Sequence, residues 1–491
     1  MQPLKDSKAN SYTAVSYLCV MTLRGDMHSI RILTNGTNWG GITKDYGAPR
    51  IDGLKMLDPD HVLLAMNIDP NEEKGRAFSY DWRGQEFITL AAGSEQDAHD
   101  VQWQPASSSG DDGDGSSSAG IWRPSASGCI LQDAETGGKL ESFSLGKLLD
   151  DVNHCQALTD TGFLVVNGRA SNCFALYNRD TEDVEYVVGG ADGTLDLIDL
   201  EGNRLPKNST VFYGQHNLEY FGEGEYLMFD NNFDAARGRF HLGGPSRLLV
   251  VKVDTDAGTA TLDWELKLED HTPIYGDNDR LPSGNLLASS WPAVISVEAE
   301  FQYDVRMFET TRTAGATRGS EVAWEAFIVG ERCADDSPNK GSEGCVRSDG
   351  AVPKGWSMYS VERFYEAPLV ANVTCDVRRA STTGASDDDD GGDDDDDAWT
   401  TTLYFTAWNV FKQQGLHTGT FKVFDHSENG ADGDSVAVRG NFGFVAHWRP
   451  SVIEVDLSSV AAATGAFTGL LAVENEWGGR SAKHVECDAG R

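Results

Sequence analysis

A glycine turn recurs through the middle of this chain and restricts its fold more than any other feature. Gly162, Gly224 and Gly284 lie 62 and 60 residues apart. Each is flanked by short strand-like runs, and each hairpin is followed by more strand-like sequence. In the first unit the later strands fall at 173–177 and 184–188, turning on Asp180-Thr-Glu-Asp. In the second they fall at 247–253 and 260–266, and in the third at 294–299 and 303–308. Four strands per unit of roughly 60 residues predict β-propeller blades. Weaker units at 52–92 and 99–147, with residues 12–34 pairing with 321–329 to close the ring, bring the total to about six blades.

The rhythm stops near residue 330. The expected organisation is a propeller over 12–330, a Cys/Gly-rich connecting loop over 331–356, a small antiparallel β-sandwich over 357–460 and a patternless tail over 461–491. The fold class is therefore all-β: a six-bladed β-propeller with a small C-terminal antiparallel β-sandwich. The 53 glycines and the scarcity of 3.6-residue periodicity fit this class.

Charge removes one class of partner. The net charge is −37, which would repel nucleic acid. Nine of the 77 acidic residues sit in two runs, Asp387–Asp390 and Asp393–Asp397, within an acidic loop at 386–397. Such a run reads as a solvated loop, with calcium (Ca2+) as a weaker candidate ligand. The eight cysteines are too few to be the main scaffold; Cys333–Cys345 and Cys375–Cys487 are candidate disulfides. Sequons at Asn35, Asn208 and Asn372 make a glycoprotein a candidate reading. No signal peptide is visible at the N-terminus, and no apolar run is long enough for a transmembrane helix. Cysteines and sequons favour a secreted or secretory-lumen protein, whereas the N-terminus would suit the cytosol.

The candidate chemistry lies in histidines at one phase of the repeat. His154 and His216 each stand eight positions before a repeat glycine. His99 and His271 extend the series, with gaps of 55, 62 and 55 residues. Equivalent positions of successive blades line one end of a propeller's channel, so these four would converge. Arg169, in Val166-Asn-Gly-Arg, would join them. Imidazoles beside a guanidinium in an acidic chain make a site for an oxyanion such as sulfate, phosphate or carboxylate. A neutral imidazole there could also serve as nucleophile or acid–base. The competing readings are histidines that only satisfy hairpin hydrogen bonds, and a metal site, which the arginine disfavours.

The order His99-Asp, Asp151-x-x-His154 with a following glycine turn and Arg169, Gln215-His216, Phe229-Asp-Asn and Arg280-Leu-Pro-Ser-Gly-Asn resembles the arylsulfotransferase family, of the PAPS-independent aryl-sulfate sulfotransferase type. The likeness runs from His99 to Phe308. It implies a six-bladed propeller that moves a sulfuryl group from an aryl sulfate to a phenol by a ping-pong route, without a cofactor or metal. His216 would be the nucleophile and pass through a sulfohistidine. His154 and His99 would hold the sulfate and assist the leaving phenolate, and Arg169 would neutralise charge. Gln156, His271 and Arg280 are the substrate-binding candidates. Gln156 stands where the family has asparagine, and no threonine of the family pattern is matched. A sandwich at the C-terminal rather than the N-terminal end resembles the eukaryotic branch. Two other readings are a non-catalytic propeller that binds partners at a cell surface and a metal-dependent propeller hydrolase.

Overall fold

The computed structural model describes residues 2–4, 16–34, 50–69, 74–91, 96–97, 99–106, 118–158, 161–232, 244–268, 271–272, 275–291, 305–312, 315–328, 355–379, 399–425, 435–461 and 464–488. Asn35, Cys333, Cys345, the acidic loop at 386–397 and the strand expected at 294–299 lie outside them. Among the described residues the regular structure is β-strand throughout, so the chain is all-β. It divides into two compact units, 1–363 and 364–491.

The first unit is built of antiparallel meanders, each starting with a strand rich in buried polar residues. Sheet A runs Arg50–Met56, His61–Asp69, Lys74–Asp81, Glu86–Leu90, with Gln96–Asp97 added to Lys74–Asp81. Sheet B runs Gln102–Gln104, Gly120–Ser125, Gly128–Asp133, Lys139–Ser144. Sheet C runs Val152–Leu158, Phe163–Gly168, Cys173–Asn178, Asp183–Gly189. Sheet D runs His216–Gly222, Glu225–Asp230, Arg247–Asp254, Thr259–Lys267, and then takes Asp196–Ile198 in parallel and Arg204–Leu205. Sheet E runs Asp277–Arg280, Leu286–Ser290, Val305–Thr310, Val322–Ile328. The repeat glycines are the reason three of these meanders can turn: Gly162, Gly224 and Gly284 all have positive φ.

Apolar clusters pack adjacent sheets together. One joins Phe174, Val188, Leu218, Tyr226, Met228 and Leu249 of sheets C and D. Another joins Phe229, Leu248 and Trp264 to Leu286, Ala288 and Phe308 of sheets D and E. The disulfide Cys129–Cys155 ties sheet B to sheet C, a pairing not expected from the sequence. Among the described residues, the pairing of 12–34 with 321–329 expected to close the ring is not formed. Ser16–Met21 pairs with Met27–Thr34, and Val322–Ile328 pairs with Val305–Thr310. Trp324 Nε1 instead donates a single hydrogen bond to the Leu23 carbonyl. The hairpin closes on itself because Arg24-Gly25-Asp26 makes a tight turn, with Gly25 at positive φ.

The second unit sets a three-stranded sheet (Leu369–Arg379, Trp399–Trp408, Ser451–Asp456) and a four-stranded one (Ser435–Phe444, His417–Asp425, Phe467–Asn475, Arg480–Cys487) around one apolar cluster. Residues 461–491, read as a tail, supply two of those strands. Phe467, Leu471 and Val473 face the cluster, and Cys487 is bonded to Cys375 as expected. Two-residue alternation is present there, but Gly465 and Gly469 interrupt the apolar run and mask it.

Gly276 shows how tightly sheets D and E meet. Its φ is +102°, and a Cβ on it would stand 2.5 Å from the Phe229 ring. Gly276→Ala should therefore cost about 2 kcal/mol, combining backbone strain and overpacking. The measurement is the urea midpoint followed by tryptophan fluorescence; an unchanged midpoint would refute the close packing.

Candidate active site

The first strands of sheets A, C, D and E, with Asp100 just ahead of sheet B, are linked by buried polar contacts. Lys55 of sheet A lies 3.5 Å from Glu219 of sheet D and 3.9 Å from Glu362. Asp100, just ahead of sheet B, accepts from the Cys155 amide of sheet C. Asn153 of sheet C donates to the Gln215 carbonyl at 3.1 Å, and Asn217 of sheet D donates to the Asn278 carbonyl of sheet E at 3.0 Å. Side chains on these strands are therefore gathered at one centre.

Local irregularities aim the histidines. The sheet C register slips between Val152 and His154, and the sheet D register slips between His216 and Glu219. Asn217, in the second slip, has φ +45°. Such bulges re-aim a side chain that strict alternation would direct elsewhere. Gln215 fixes the entry to the second strand: Nε2 donates to Asn167 Oδ1 (2.8 Å), Gly168 O (3.1 Å) and Cys173 O (3.3 Å). Asn167 returns a bond to the Gln215 carbonyl and one to Asn153 Oδ1.

His216 is fully buried. Its Nδ1 lies 3.0 Å from the Gly214 carbonyl and 2.6 Å from Asn231 Oδ1. Both partners are acceptors, so Nδ1 carries the hydrogen and Nε2 carries the lone pair. Nε2 is buried and has no hydrogen-bond partner. Burial, the largest effect, and the charges of Arg169 and His99 push the His216 pKa down to about 3, against the two hydrogen bonds. The ring is thus neutral across the physiological range.

His99 is held the opposite way. Its Nδ1 meets Asp97 Oδ1 at 2.6 Å, and its carbonyl accepts from the Tyr359 hydroxyl. Burial lowers its pKa, but the Asp97 carboxylate, by charge and hydrogen bond, outweighs burial and the Arg169 charge, so the net direction is upward. His154 Nδ1 lies 3.0 Å from Asp100 Oδ2, and its Nε2, like that of His216, is buried without a partner. Burial works to raise the Asp100 pKa, yet the His154 charge and hydrogen bond, with Lys55 and the Val101 amide, hold it well below the usual carboxylate range. Arg169 is tethered by Nε and Nη2 to Asp151 Oδ2, at 2.7 and 2.6 Å.

The structure thus brings His99, Arg169 and His216 within electrostatic reach of one another, with His154 beside Asp100 on the next strand. The remaining candidates are employed elsewhere. Gln156 accepts from the Tyr220 amide (2.7 Å) and donates to its carbonyl (3.3 Å), stapling sheet C to sheet D rather than offering its amide to a ligand. Arg280 pairs with Glu225 in a part-exposed cluster with Arg312, on the turn side of its short strand. His271 Nδ1 lies 3.2 Å from the Gly244 carbonyl, and its Nε2, like those of His154 and His216, is buried without a partner among the described residues. Residues that sequence reasoning passed over are Asp97, Asp100, Asn231 and Tyr359. Three of the four lie in or beside the quoted His-Asp and Phe-Asp-Asn motifs, where proximity to the histidines was the available signal. No cluster of three or more metal-ligating side chains occurs among the described residues.

Residues 130–320 match the family model described as Arylsulfotransferase (ASST), which bears out the resemblance over that stretch. No curated protein matches the chain. Among solved structures, it is similar to the β-propeller domain of Myceliophteria thermophila Cps50 (Swd1), at 8% identity and TM-score 0.35, covering 65% of this chain and 82% of that one. It is also similar to a protein of unknown function from Bacteroides caccae, at 12% identity and TM-score 0.33, covering 52% and 77%.

A neutral buried histidine has a stability signature. Unfolded, His216 takes up a proton as the pH drops below about 6.5; folded, it cannot do so until about pH 3. Stability is therefore highest above pH 6.5 and falls toward acid. His216→Gln removes this dependence, and between pH 8 and pH 5 the variant should lose about 2 kcal/mol less stability than the wild type. Urea unfolding at the two pH values measures the difference, and identical losses would contradict a neutral His216.

Proposed function

We propose, from the arylsulfotransferase match over residues 130–320 and the centre built around His216, that the protein is a sulfotransferase carrying a sulfuryl group from an aryl sulfate to a phenolic acceptor through a sulfohistidine. The observation that carries the reading is the buried, neutral His216, with its lone pair on an unpartnered Nε2 in the field of Arg169 and His99. The links among the first strands of sheets A, C, D and E support the propeller reading of 12–330, and two sheets around one core support a sandwich reading of the C-terminal unit.

In the first half-reaction Nε2 attacks sulfur, an N–S bond forms and the S–O(aryl) bond breaks. The aryl oxygen leaves as phenolate and takes a proton from His99 or His154. In the second, the same group removes the acceptor's hydroxyl proton, the new phenolate attacks sulfur, and the N–S electron pair returns to Nε2. Covalent catalysis divides one difficult displacement into two. Sulfuryl transfer, like phosphoryl transfer, is assisted chiefly by positioning and by cations at the equatorial oxygens. Arg169 and the carboxylate-paired histidines have that role.

His216→Ala should abolish turnover, by at least about a thousandfold, and Arg169→Met should lower it about a hundredfold. The assay is coloured phenol release from a chromogenic aryl sulfate with a second phenol as acceptor. Without acceptor, the wild type should give one equivalent of phenol and sulfate label on the His216 peptide. Undiminished release by His216→Ala would end this reading.

A further inference from the structure

We infer that Asn231 is the positioning residue that makes His216, rather than His99 or His154, the nucleophile; the inference rests on the sulfuryl-transfer reading above. Three buried imidazoles stand on or beside neighbouring strands, and what faces Nδ1 divides them. For His99 it is the Asp97 carboxylate, and for His154 the Asp100 carboxylate. For His216 it is a neutral amide oxygen, Asn231 Oδ1, at 2.6 Å. A carboxylate stabilises an imidazolium, which suits a group that holds sulfate and protonates a leaving phenolate. An amide oxygen accepts the same hydrogen without adding a charge, which leaves the ring neutral and nucleophilic.

The Asn231 side chain has no freedom to present its other end. Its Nδ2 donates to the Thr272 and Tyr275 carbonyls, each at 2.8 Å, so Oδ1 must face the imidazole. Gly214 O presents a second acceptor to the same Nδ1. Only one neutral tautomer satisfies this arrangement, and it puts the lone pair on Nε2. As the N–S bond forms the ring becomes cationic, and the Nδ1–H bond to Asn231 strengthens with it. The other groups bearing on His216 are consistent with this assignment. Arg169 follows the Phe163–Gly168 strand, and His99 precedes Gln102–Gln104; both oppose protonation. Tyr275, ahead of Asp277–Arg280, presents its ring edge-on. Asp230, adjacent to Asn231, has its charge matched by Arg247.

The test uses the full chain with labelled histidines. His216 resonances are identified by their disappearance in His216→Gln. In the wild type, nitrogen shifts should report the Nδ1–H tautomer and stay constant from pH 8 to pH 5. The Nε2–H tautomer, or a titration near the ordinary histidine value, would overturn the inference. Asn231→Asp gives His216 the partner type of its neighbours, so His216 should then titrate between pH 5 and pH 8. The variant's single-turnover phenol release, relative to wild type, should fall about tenfold from pH 8 to pH 6, with donor KM little changed. Asn231→Ala should lose rate by one factor at every pH. A pH-independent ratio for Asn231→Asp, or the same pH dependence in Asn231→Ala, would overturn the charge argument. If the wild type turns over no aryl sulfate, the functional reading falls, while the tautomer and titration still decide the role of Asn231.

Discussion

Everything at the centre of the first unit depends on satisfying buried amides. The strands that open the meanders carry polar residues into a place with little water, where an unpaired donor or acceptor costs roughly 1–3 kcal/mol. Asn153, Asn167 and Gln215 meet most of this demand jointly: each amide NH2 donates to a neighbour or a carbonyl and the Gln215 carbonyl is bonded twice, while Gln215 Oε1 has no partner among the described residues. The same bonds fix the backbone that delivers His216. Such networks specify one arrangement strongly because a partly satisfied alternative is costly. Gln156, bonded to both polar groups of the Tyr220 backbone, belongs to this scaffold.

Charge is distributed at this centre against the trend of the chain. The protein carries −37 overall, yet Lys55, His99, Arg123, His154 and Arg169 approach one another at its middle. Burying like charges would be prohibitive without carboxylates, and each has one in range: Glu219, Asp97, Asp100 and Asp151. Arg123 is also anchored through the Asp97 carbonyl, at 2.6 Å. The result is paired cations that keep part of their field. His216 has neutral acceptors, Gly214 O and Asn231 Oδ1, where His99 and His154 have carboxylates, and burial drives it strongly toward neutrality.

The repeat was legible because glycine at positive φ leaves a mark at a fixed period. Gly162, Gly224 and Gly284 revealed three meanders, and the histidines in phase with them revealed His99, His154 and His216. Arg169 was legible as the guanidinium near them. His271 and Arg280 are candidates by phase and motif, but phase fixes a place along a strand and not the partner there; Gly244 and Glu225, which they contact, lie far away in sequence. The strand pairing expected between 12–34 and 321–329 is absent among the described residues, where each of these strands pairs with its sequence neighbour instead. Asn231 lies in the Phe229-Asp-Asn motif, but its orientation depends on the Thr272 and Tyr275 carbonyls, which no spacing rule foretells.

The centre of the first unit carries features that cost stability. Nε2 of both His154 and His216 is buried without a partner, and two of the site's strands slip register where these residues stand. A polar atom buried without a protein partner costs stability, and an apolar side chain of similar size would avoid that cost. Gln156 shows that the same strands can satisfy a long polar side chain completely when nothing else is asked of it. His154 and Gln156, two residues apart on one strand, differ in this: Gln156 bonds the Tyr220 backbone of the next sheet, whereas His154 keeps an unpartnered Nε2.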